Sequence, residues 1–329
     1  MPLTKPMSWR VLPLAPCTLG ESPFWHPDEH RLYWVDIAQR CVHRFSPTTG
    51  VAEQWSMPSE PGCIAPVRSI DGRGAPGGLL VALRDGVYAA HHWGSPLTLV
   101  APALHDRATH RFNDGKADPF GRFWVSTINE TRSSASAQLL SLAAGGLSGD
   151  GARALQVMAT GATVGNGLAW SPDACTLYWA DTSRHVVRAW DWDVRQNTLS
   201  AERIFKQWPS KPAFWQAGAF AGAGLDTAYA GRPDGAAVDV EGNYYVAMYE
   251  GARVLKLSPE GDVLASIAVP AQCPTMPCLG GENGRTLYVT TARQNRPAAE
   301  LQIYPDSGCV FAMQVEVDVP GLPVNFYAG

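Results

Sequence analysis

Short apolar segments, each bordered by a turn rich in Pro, Asp, Asn and Gly, recur along the whole chain. Residues 32–36, 123–127 and 177–181 are clear examples, and each combines aromatic with aliphatic side chains. Runs of this composition between turn residues predict β-strands, and two such runs around a polar turn predict a β-hairpin. The chain is therefore expected to consist mainly of short strands.

The strand pattern repeats about six times. We expect the strongest apolar strand of each unit to be its inner strand, and these strands centre on Trp34, Val81, Trp124, Trp179, Tyr245 and Tyr288. They lie roughly 45 to 65 residues apart, somewhat longer than the ~40–50 residues of propeller-blade repeats. Each unit has room for about four strands, as a propeller blade does.

Two β-sandwiches would need a linker between them, and no Pro/Ser-rich or charged boundary divides the sequence. The repeat therefore predicts an all-β fold, a six-bladed β-propeller formed as one domain by residues 1–329. Because an unpaired edge strand invites aggregation, we expect the N-terminal strand, residues 8–14, to complete the last blade. Residues 208–231, rich in Ala, Gly and aromatic side chains, are expected to form a long, partly helical loop on the site face.

Composition narrows the class of protein. Hydrophobic residues make up 46% and charged residues 17% of the 329, which is typical of a globular chain. A net charge of −4 gives no electrostatic reason to expect nucleic acid or an anionic membrane surface as a partner. The start lacks the apolar core of a secretion signal, and the seven widely spaced cysteines do not resemble a disulfide framework. We expect a cytoplasmic protein with free thiols.

Four polar residues occupy the same place in their units, on the turn that leads into the outer part of each hairpin. They are Glu21, Asn113, Asn166 and Asp234. Equivalent positions of successive propeller blades converge on the central axis at one face, and four oxygen-bearing side chains there would suit a hard divalent cation. Singly, each motif is also compatible with an ordinary turn, since Asn-Gly and Asp-Gly are common turn pairs. Their shared position favours a common site.

Five motifs resemble those of the SMP-30/gluconolactonase/regucalcin family, in order along nearly the whole chain. They are Gly20-Glu-Ser-Pro-Phe-Trp25, Arg111-Phe-Asn-Asp-Gly-Lys-Ala-Asp-Pro119, Gly165-Asn-Gly-Leu-Ala-Trp-Ser171, Pro233-Asp-Gly235 and Tyr327-Ala-Gly329. The resemblance implies a six-bladed propeller with one divalent metal near its axis, and the hydrolysis of sugar lactones.

Carried over by position, the resemblance implies that Glu21, Asn166 and Asp234 are the metal ligands, and that Asp234 is also the general base. A bound cation would polarise the lactone carbonyl and lower the pKa of water beside it. Oxygen ligands bind several divalent cations. The candidates for the metal are therefore calcium, zinc, manganese, magnesium and iron(II).

The resemblance also implies that Arg111 and Asn113 bind substrate at the mouth of the site, with Asp114 beside them. Arg would hold the hydroxyls of the sugar through its donor fork, and Asn would both donate and accept hydrogen bonds. The family often has an acidic residue shortly after the next strand. Glu130 is the nearest one here, with Thr131 as the neighbouring alternative.

Two other hypotheses stay open at the level of sequence. One is a hydrolase of other esters or of phosphotriesters on the same scaffold, because function depends on loops more than on fold. The other is a non-catalytic propeller that binds a metal or a protein partner. A serine-hydrolase mechanism is disfavoured, since no Gly-x-Ser-x-Gly motif occurs. For the lactonase, we expect a small sugar lactone as the partner and a monomer or weak homo-oligomer.

Overall fold

A computed structural model describes residues 8–68, 78–145, 153–213, 215, 229–314 and 319–329. In these ranges the strands form six antiparallel sheets, one after another along the chain, with one added parallel strand. The chain starts with β1 (Arg10–Val11), which belongs to the last sheet. The first sheet contains β2 (Gly20–His26), β3 (Arg31–Asp36), β4 (Cys41–Phe45) and β5 (Ala52–Ser56).

The next sheets follow in the same order. The second contains β6 (Cys63–Arg68), β7 (Leu79–Leu83), β8 (Gly86–Ala90) and β9 (Thr98–Pro102). The third contains β10 (His110–Ala117), β11 (Phe123–Asn129), β12 (Ala137–Leu142) and β13 (Gln156–Ala162). The fourth contains β14 (Gly165–Trp170), β15 (Thr176–Asp181), β16 (Val186–Asp193) and β17 (Thr198–Gln207).

The fifth and sixth sheets complete the series. The fifth contains β18 (Arg232–Val238), β19 (Tyr244–Tyr249), β20 (Arg253–Leu257) and β21 (Val263–Ala268). The sixth contains β22 (Pro274–Gly280), β23 (Thr286–Thr291) and β24 (Phe311–Gln314), with β1 as its fourth strand. A short helix, α1 (Ala298–Ile303), lies between β23 and β24, and β25 (Tyr327–Ala328) comes near the C-terminus.

The first strands of the sheets surround a common axis. Strands β2, β6, β10, β14, β18 and β22 each contact the next in this order, and β22 contacts β2 to close the ring. Six ordered sheets around an axis form a six-bladed β-propeller, so the fold prediction is confirmed.

One detail of that prediction was wrong. The apolar strands around Trp34, Trp124 and Trp179 are the second strands of their sheets, not the innermost ones. They are the most apolar because both of their faces are covered by neighbouring blades. The innermost strands carry polar side chains toward the axis, which weakens their hydrophobic pattern.

In the part of the chain that the structure describes, the core is divided into six clusters, each between two adjacent blades. For example, Tyr178 and Ala180 of the fourth blade pack with Tyr244 and Val246 of the fifth. Since every cluster belongs to two blades, each blade depends on its neighbours for burial. This arrangement fixes the blades relative to one another and therefore also fixes the axis.

Both ends of the chain help to close the propeller. Strand β1 pairs with β24 through Arg10 and Val11, which confirms that the N-terminal strand completes the last blade, although the paired part is shorter than residues 8–14. At the other end, β25 pairs in parallel with β6, and Tyr327 is fully buried. The second blade thereby gains a fifth strand that the sequence did not predict.

Three further expectations concern other parts of the chain. All seven cysteines are free, as predicted. The predicted loop over residues 208–231 lies mostly outside the described residues, which include only 208–213, 215 and 229–231 of it. Within the described ranges, no helix has the length and apolar character needed to cross a membrane.

Candidate active site

The four polar residues singled out in the sequence all lie on innermost strands, each at an irregularity of the β-ladder. The pairing register shifts at Glu21 on β2, after Phe112 on β10, at Asn166 on β14 and after Pro233 on β18. The prediction that they lie on turns is therefore wrong. A bulge inserts an extra residue and re-aims its side chain, which is why turn-like sequences such as Gly-Asn-Gly occur inside these strands.

Hydrogen bonds join three of these residues across three blades. Asn113 Nδ2 donates to Asn166 Oδ1 at 2.9 Å and to the carbonyl of Gly165 at 3.0 Å. Asn166 Nδ2 donates in turn to Asp234 Oδ1, and to Thr182 Oγ1 at 2.8 Å. All of these side chains are buried. The bonds fix the amide orientations and hold the third, fourth and fifth blades together at the axis.

Glu21, Asn113, Asn166 and Asp234 form a ring of polar side chains near the axis, and burial raises the pKa of its two acidic members. Burial raises the pKa of Asp234 to about 8, and the carboxyl of Asp114 adds to the effect. Burial also raises the pKa of Glu21 well above its usual value, with further contributions from Asp234 and Asp114. The neighbouring arginines are shared with other carboxylates, Arg111 with Glu130 at 3.4 Å. Burial in the ring therefore disfavours the charged forms of its carboxyl groups, although Arg232 acts to lower the pKa of Asp234.

Arg111 and Glu130 lie together at the edge of the ring. Arg111 Nη1 donates to Asn113 Oδ1 and to the carbonyl of Phe112, both at 2.9 Å. Glu130 accepts from both terminal nitrogens of Arg84, at 2.8 and 3.2 Å, and its side chain is 36% exposed. The structure thus brings Glu130 next to the predicted substrate binder Arg111, while its contact with substrate stays a prediction.

The geometry changes the expected role of Asn113. Both hydrogens of its amide are donated within the protein, and among the described residues its Oδ1 accepts only from Arg111. A side-chain amide has two donor hydrogens and an acceptor oxygen with two lone pairs. Asn113 can therefore accept a hydrogen bond from a ligand, but it has no further hydrogen to donate.

Asp114 lies deeper than the mouth. Its Oδ2 accepts the backbone N–H of Leu168 at 2.8 Å, and its Oδ1 is buried without a hydrogen-bond partner in the described part of the chain. Burial raises the pKa of Asp114 and lowers the pKa of nearby Lys116. Lys116 Nζ donates to the carbonyl of Ala236. An orphaned buried carboxylate oxygen is costly unless a cation or a water approaches it.

The residues present fit a divalent cation. Glu21, Asn166 and Asp234 supply two carboxylates and one amide oxygen, the hard donors that Ca²⁺, Mg²⁺ and Mn²⁺ prefer and that Zn²⁺ accepts. Across the described ranges, no three His, Cys, Asp or Glu side chains gather as a metal site made of those residues alone would require. The predicted ligand set contains two such side chains, Glu21 and Asp234, and its third member is Asn166.

Sequence reasoning missed several residues next to the ring. Thr182 positions Asn166, and Arg232 lies two residues before Asp234 on the same strand. Tyr249 pairs with Arg232 across β18 and β19, and Glu250 follows it. The short separation of Arg232 from Asp234 along the sequence could have indicated this residue. The others come close only through pairing between distant segments.

A cavity of about 230 Å³ occupies the axis on the far side of the ring. Its walls include Ser22, Gly115 and Lys116, which lie one to three positions after the ring residues, and the C-terminal residues 322–325. Glu21, Asn166 and Asp234 do not line it. This cavity is therefore separate from the candidate active site.

The fold and the ring together define a β-propeller protein with a cluster of buried acidic and amide side chains at its axis. Comparison with known proteins identifies the family within this class. The sequence profile of the SMP-30/Gluconolactonase/LRE-like region matches residues 19–293, so the chain belongs to this family. The family prediction from the five motifs is confirmed.

Individual relatives agree with this assignment. The chain is 40% identical over 316 residues to the 6-deoxy-6-sulfogluconolactonase of Pseudomonas putida, a match that covers 95% of this chain and 96% of the relative. It is 30% identical over 315 residues to the regucalcin of Sus scrofa, covering 95% and 96% of the two chains.

Solved structures show the same fold. A calcium-binding regucalcin from Agrobacterium tumefaciens superposes with a TM-score of 0.81 at 23% identity, over 98% of this chain and 97% of that one. A gluconolactonase from Xanthomonas campestris gives a TM-score of 0.68 at 19% identity, over 94% and 89%. At these identities the likeness supports the propeller architecture alone.

Proposed function

We propose that this protein is a hydrolase that opens a sugar lactone to the corresponding aldonic acid, using one divalent cation held by Glu21, Asn166 and Asp234. The observation that carries the proposal is the ring of two buried carboxylates and an amide, from three blades, in a chain of this family. The name of the Pseudomonas putida relative describes the same reaction type. We also propose that residues 1–329 form one domain. A cytoplasmic location and a monomeric or weakly oligomeric state stay predictions.

Asp234 is proposed as the general base. Its Oδ1 accepts from Asn166, which leaves Oδ2 to take a proton as water adds to the lactone carbonyl carbon. The bond from that carbon to the ring oxygen then breaks, and the proton passes to the leaving oxygen, so the product is an open hydroxy acid. A divalent cation bound at the ring would supply Lewis-acid polarisation of the carbonyl.

Arg111, Asn113 and Glu130 are proposed to orient the sugar. Arg111 keeps Nη2 free of hydrogen bonds to the described residues, so this nitrogen can donate to ring hydroxyls. Asn113 Oδ1 can accept from a hydroxyl, and so can the exposed Glu130 carboxylate. Asp114 would act from behind the ring by adding negative charge near the cation. Fixing the lactone against the base in this way lowers the entropic part of the barrier.

The test is a pH-indicator assay on a panel of five- and six-carbon lactones, with chelated protein reloaded by each cation in turn. We expect hydrolysis above the spontaneous rate that disappears on chelation and returns with at least one cation. Asp234→Asn should lower kcat/KM by about 10²–10⁴-fold, the range for loss of a general base. Asp191→Asn is the matched control, because Asp191 lies on the surface in a pair with Arg203.

The outcomes separate the hypotheses. Full activity after exhaustive chelation, and in Asp234→Asn, would contradict the proposal. Faster turnover of a phosphotriester than of any lactone would instead support a different hydrolase. Cation binding by calorimetry, with no turnover of any substrate on the panel, would support a non-catalytic propeller.

A further inference from the structure

Arg232 lies beside the ring with few partners of its own. It precedes Asp234 by two residues on β18, and Asp234 itself lies in the bulge between Pro233 and Ala236. Its side chain is 15% exposed, and its Nε is buried without a hydrogen-bond partner among the residues that the structure describes. Its guanidinium lies over the ring of Tyr249 and 3.6 Å from Glu250, too far for a hydrogen bond.

The carboxylate of Glu250 is already shared with other cations. Its Oε1 accepts from Lys211 Nζ at 2.9 Å and from Arg296 Nη1 at 3.1 Å. Arg296 also forms two hydrogen bonds with the buried Glu300, at 2.8 and 2.6 Å. Three cations therefore face two carboxylates in this cluster. Although burial acts to raise it, Arg232 and Lys211 hold the pKa of Glu250 below its usual value.

A second arginine approaches from the third blade. Arg132 follows β11, is exposed, and forms no ion pair within the described ranges. Although burial raises the pKa of Asp234, the positive charges of Arg232 and Arg132 both act to lower it. Arg232 and Arg132 therefore both contribute positive charge at the edge of the site near the fifth blade.

We propose, resting on the lactonase function above, that Arg232 binds a singly charged anionic group, such as a sulfonate, on the end of the lactone remote from the carbonyl. Two residues along a strand span roughly 7 Å. That distance is comparable to the length of a six-carbon lactone whose carbonyl lies at Asp234. The planar fork of a guanidinium matches two oxygens of such a group. One excess positive charge in the cluster suits a monoanion better than a dianion.

The experiment compares three lactones on cation-loaded protein: glucono-1,5-lactone, its 6-deoxy-6-sulfo derivative and its 6-phospho derivative. We expect wild-type kcat/KM for the sulfonated lactone to exceed that for the neutral lactone at least tenfold. Arg232→Met should lower this ratio at least tenfold, mainly through KM, and Arg232→Lys should retain part of it. Arg203→Met removes the same charge from the outer strand β17, and it should leave the ratio unchanged.

An unchanged ratio in Arg232→Met would overturn the inference, and so would a wild-type preference for the neutral or the phosphorylated lactone. Failure of the lactonase function is a separate result, seen when wild-type protein opens none of the three. In that case calorimetric titration with 6-deoxy-6-sulfogluconate tests the anion site directly. Binding that weakens at least tenfold in Arg232→Met supports the site, and equal or absent binding contradicts it.

Discussion

At the scale of single residues, the site depends on a backbone conformation that only glycine adopts without strain. Gly167 follows Asn166 in the bulge of β14 and has φ of +58°. A Cβ at this position would lie 2.5 Å from Tyr244 Oη and 2.9 Å from the Cβ of Ala180. The fourth blade therefore cannot accept a side chain here without moving the strand that carries Asn166.

We expect Gly167→Ala to lose both stability and activity. The left-handed backbone costs about 1–2 kcal/mol in a residue with a Cβ, and overpacking adds about 1–3 kcal/mol. Displacing Asn166 by about 1 Å can reduce the rate of lactone hydrolysis about 10²-fold. Chemical denaturation and the lactone assay measure the two losses.

Gly50→Ala separates backbone strain from crowding. Gly50 has φ of +72°, and no atom lies within 4 Å of the place that a Cβ would take, so only the strain applies. The Gly50→Ala variant should lose about 1–2 kcal/mol of unfolding free energy, and its kcat/KM should be unchanged. Equal effects of the two substitutions on activity would show that the contacts at Gly167 do not position the site.

At the scale of elements, the sequence predicted a strand correctly wherever a run of hydrophobic residues lies between two groups of turn residues. Strands such as β3 and β15 could be predicted because each contains four consecutive buried apolar side chains between polar residues. The innermost strands β14 and β18 could not, because their bulges require Gly and Asn or Asp, which also mark turns. Strand β25 has two residues, too few to give a pattern.

The C-terminal strand should be important for stability despite its length. Tyr327 is fully buried, and its hydroxyl lies 3.1 Å from the carbonyls of Ala143 and Gly145. We expect Tyr327→Ala to lower the free energy of unfolding by about 3–5 kcal/mol, as for other large buried aromatic side chains. Denaturant unfolding followed by tryptophan fluorescence measures the loss.

Tyr327→Phe is the matched control, because it keeps the ring and removes only the hydroxyl. This variant should lose about 1 kcal/mol of unfolding free energy, which is the net contribution of a typical hydrogen bond. If both substitutions cost the same, the hydroxyl rather than the ring would account for the stability of this segment.

At the scale of the whole molecule, the candidate site forms because the closed propeller brings residues from different blades together. Glu21 belongs to the first blade, Asn113 to the third, Asn166 to the fourth and Asp234 to the fifth. Their common position in the repeat made their convergence predictable from the sequence. The pairing of Arg232 with Glu250 was not predictable, since it depends on how neighbouring strands and the loops beyond them meet in space.

Because the proposed cation joins carboxylates from different blades, its binding should stabilise the entire propeller. At a hundredfold excess over Kd, a ligand specific for the folded state adds about 2.7 kcal/mol, which corresponds to a rise in Tm of roughly 4 °C for a chain of 329 residues. Thermal unfolding at pH 8 with and without chelator measures the shift. Glu21→Gln should abolish it while leaving the chelated Tm equal to or above that of wild type, because the amide removes a buried charge. Two results would mean that these carboxylates stabilise the fold rather than bind a metal. One is a Tm in chelator that is lower for Glu21→Gln than for wild type, and the other is a wild-type Tm that no cation changes.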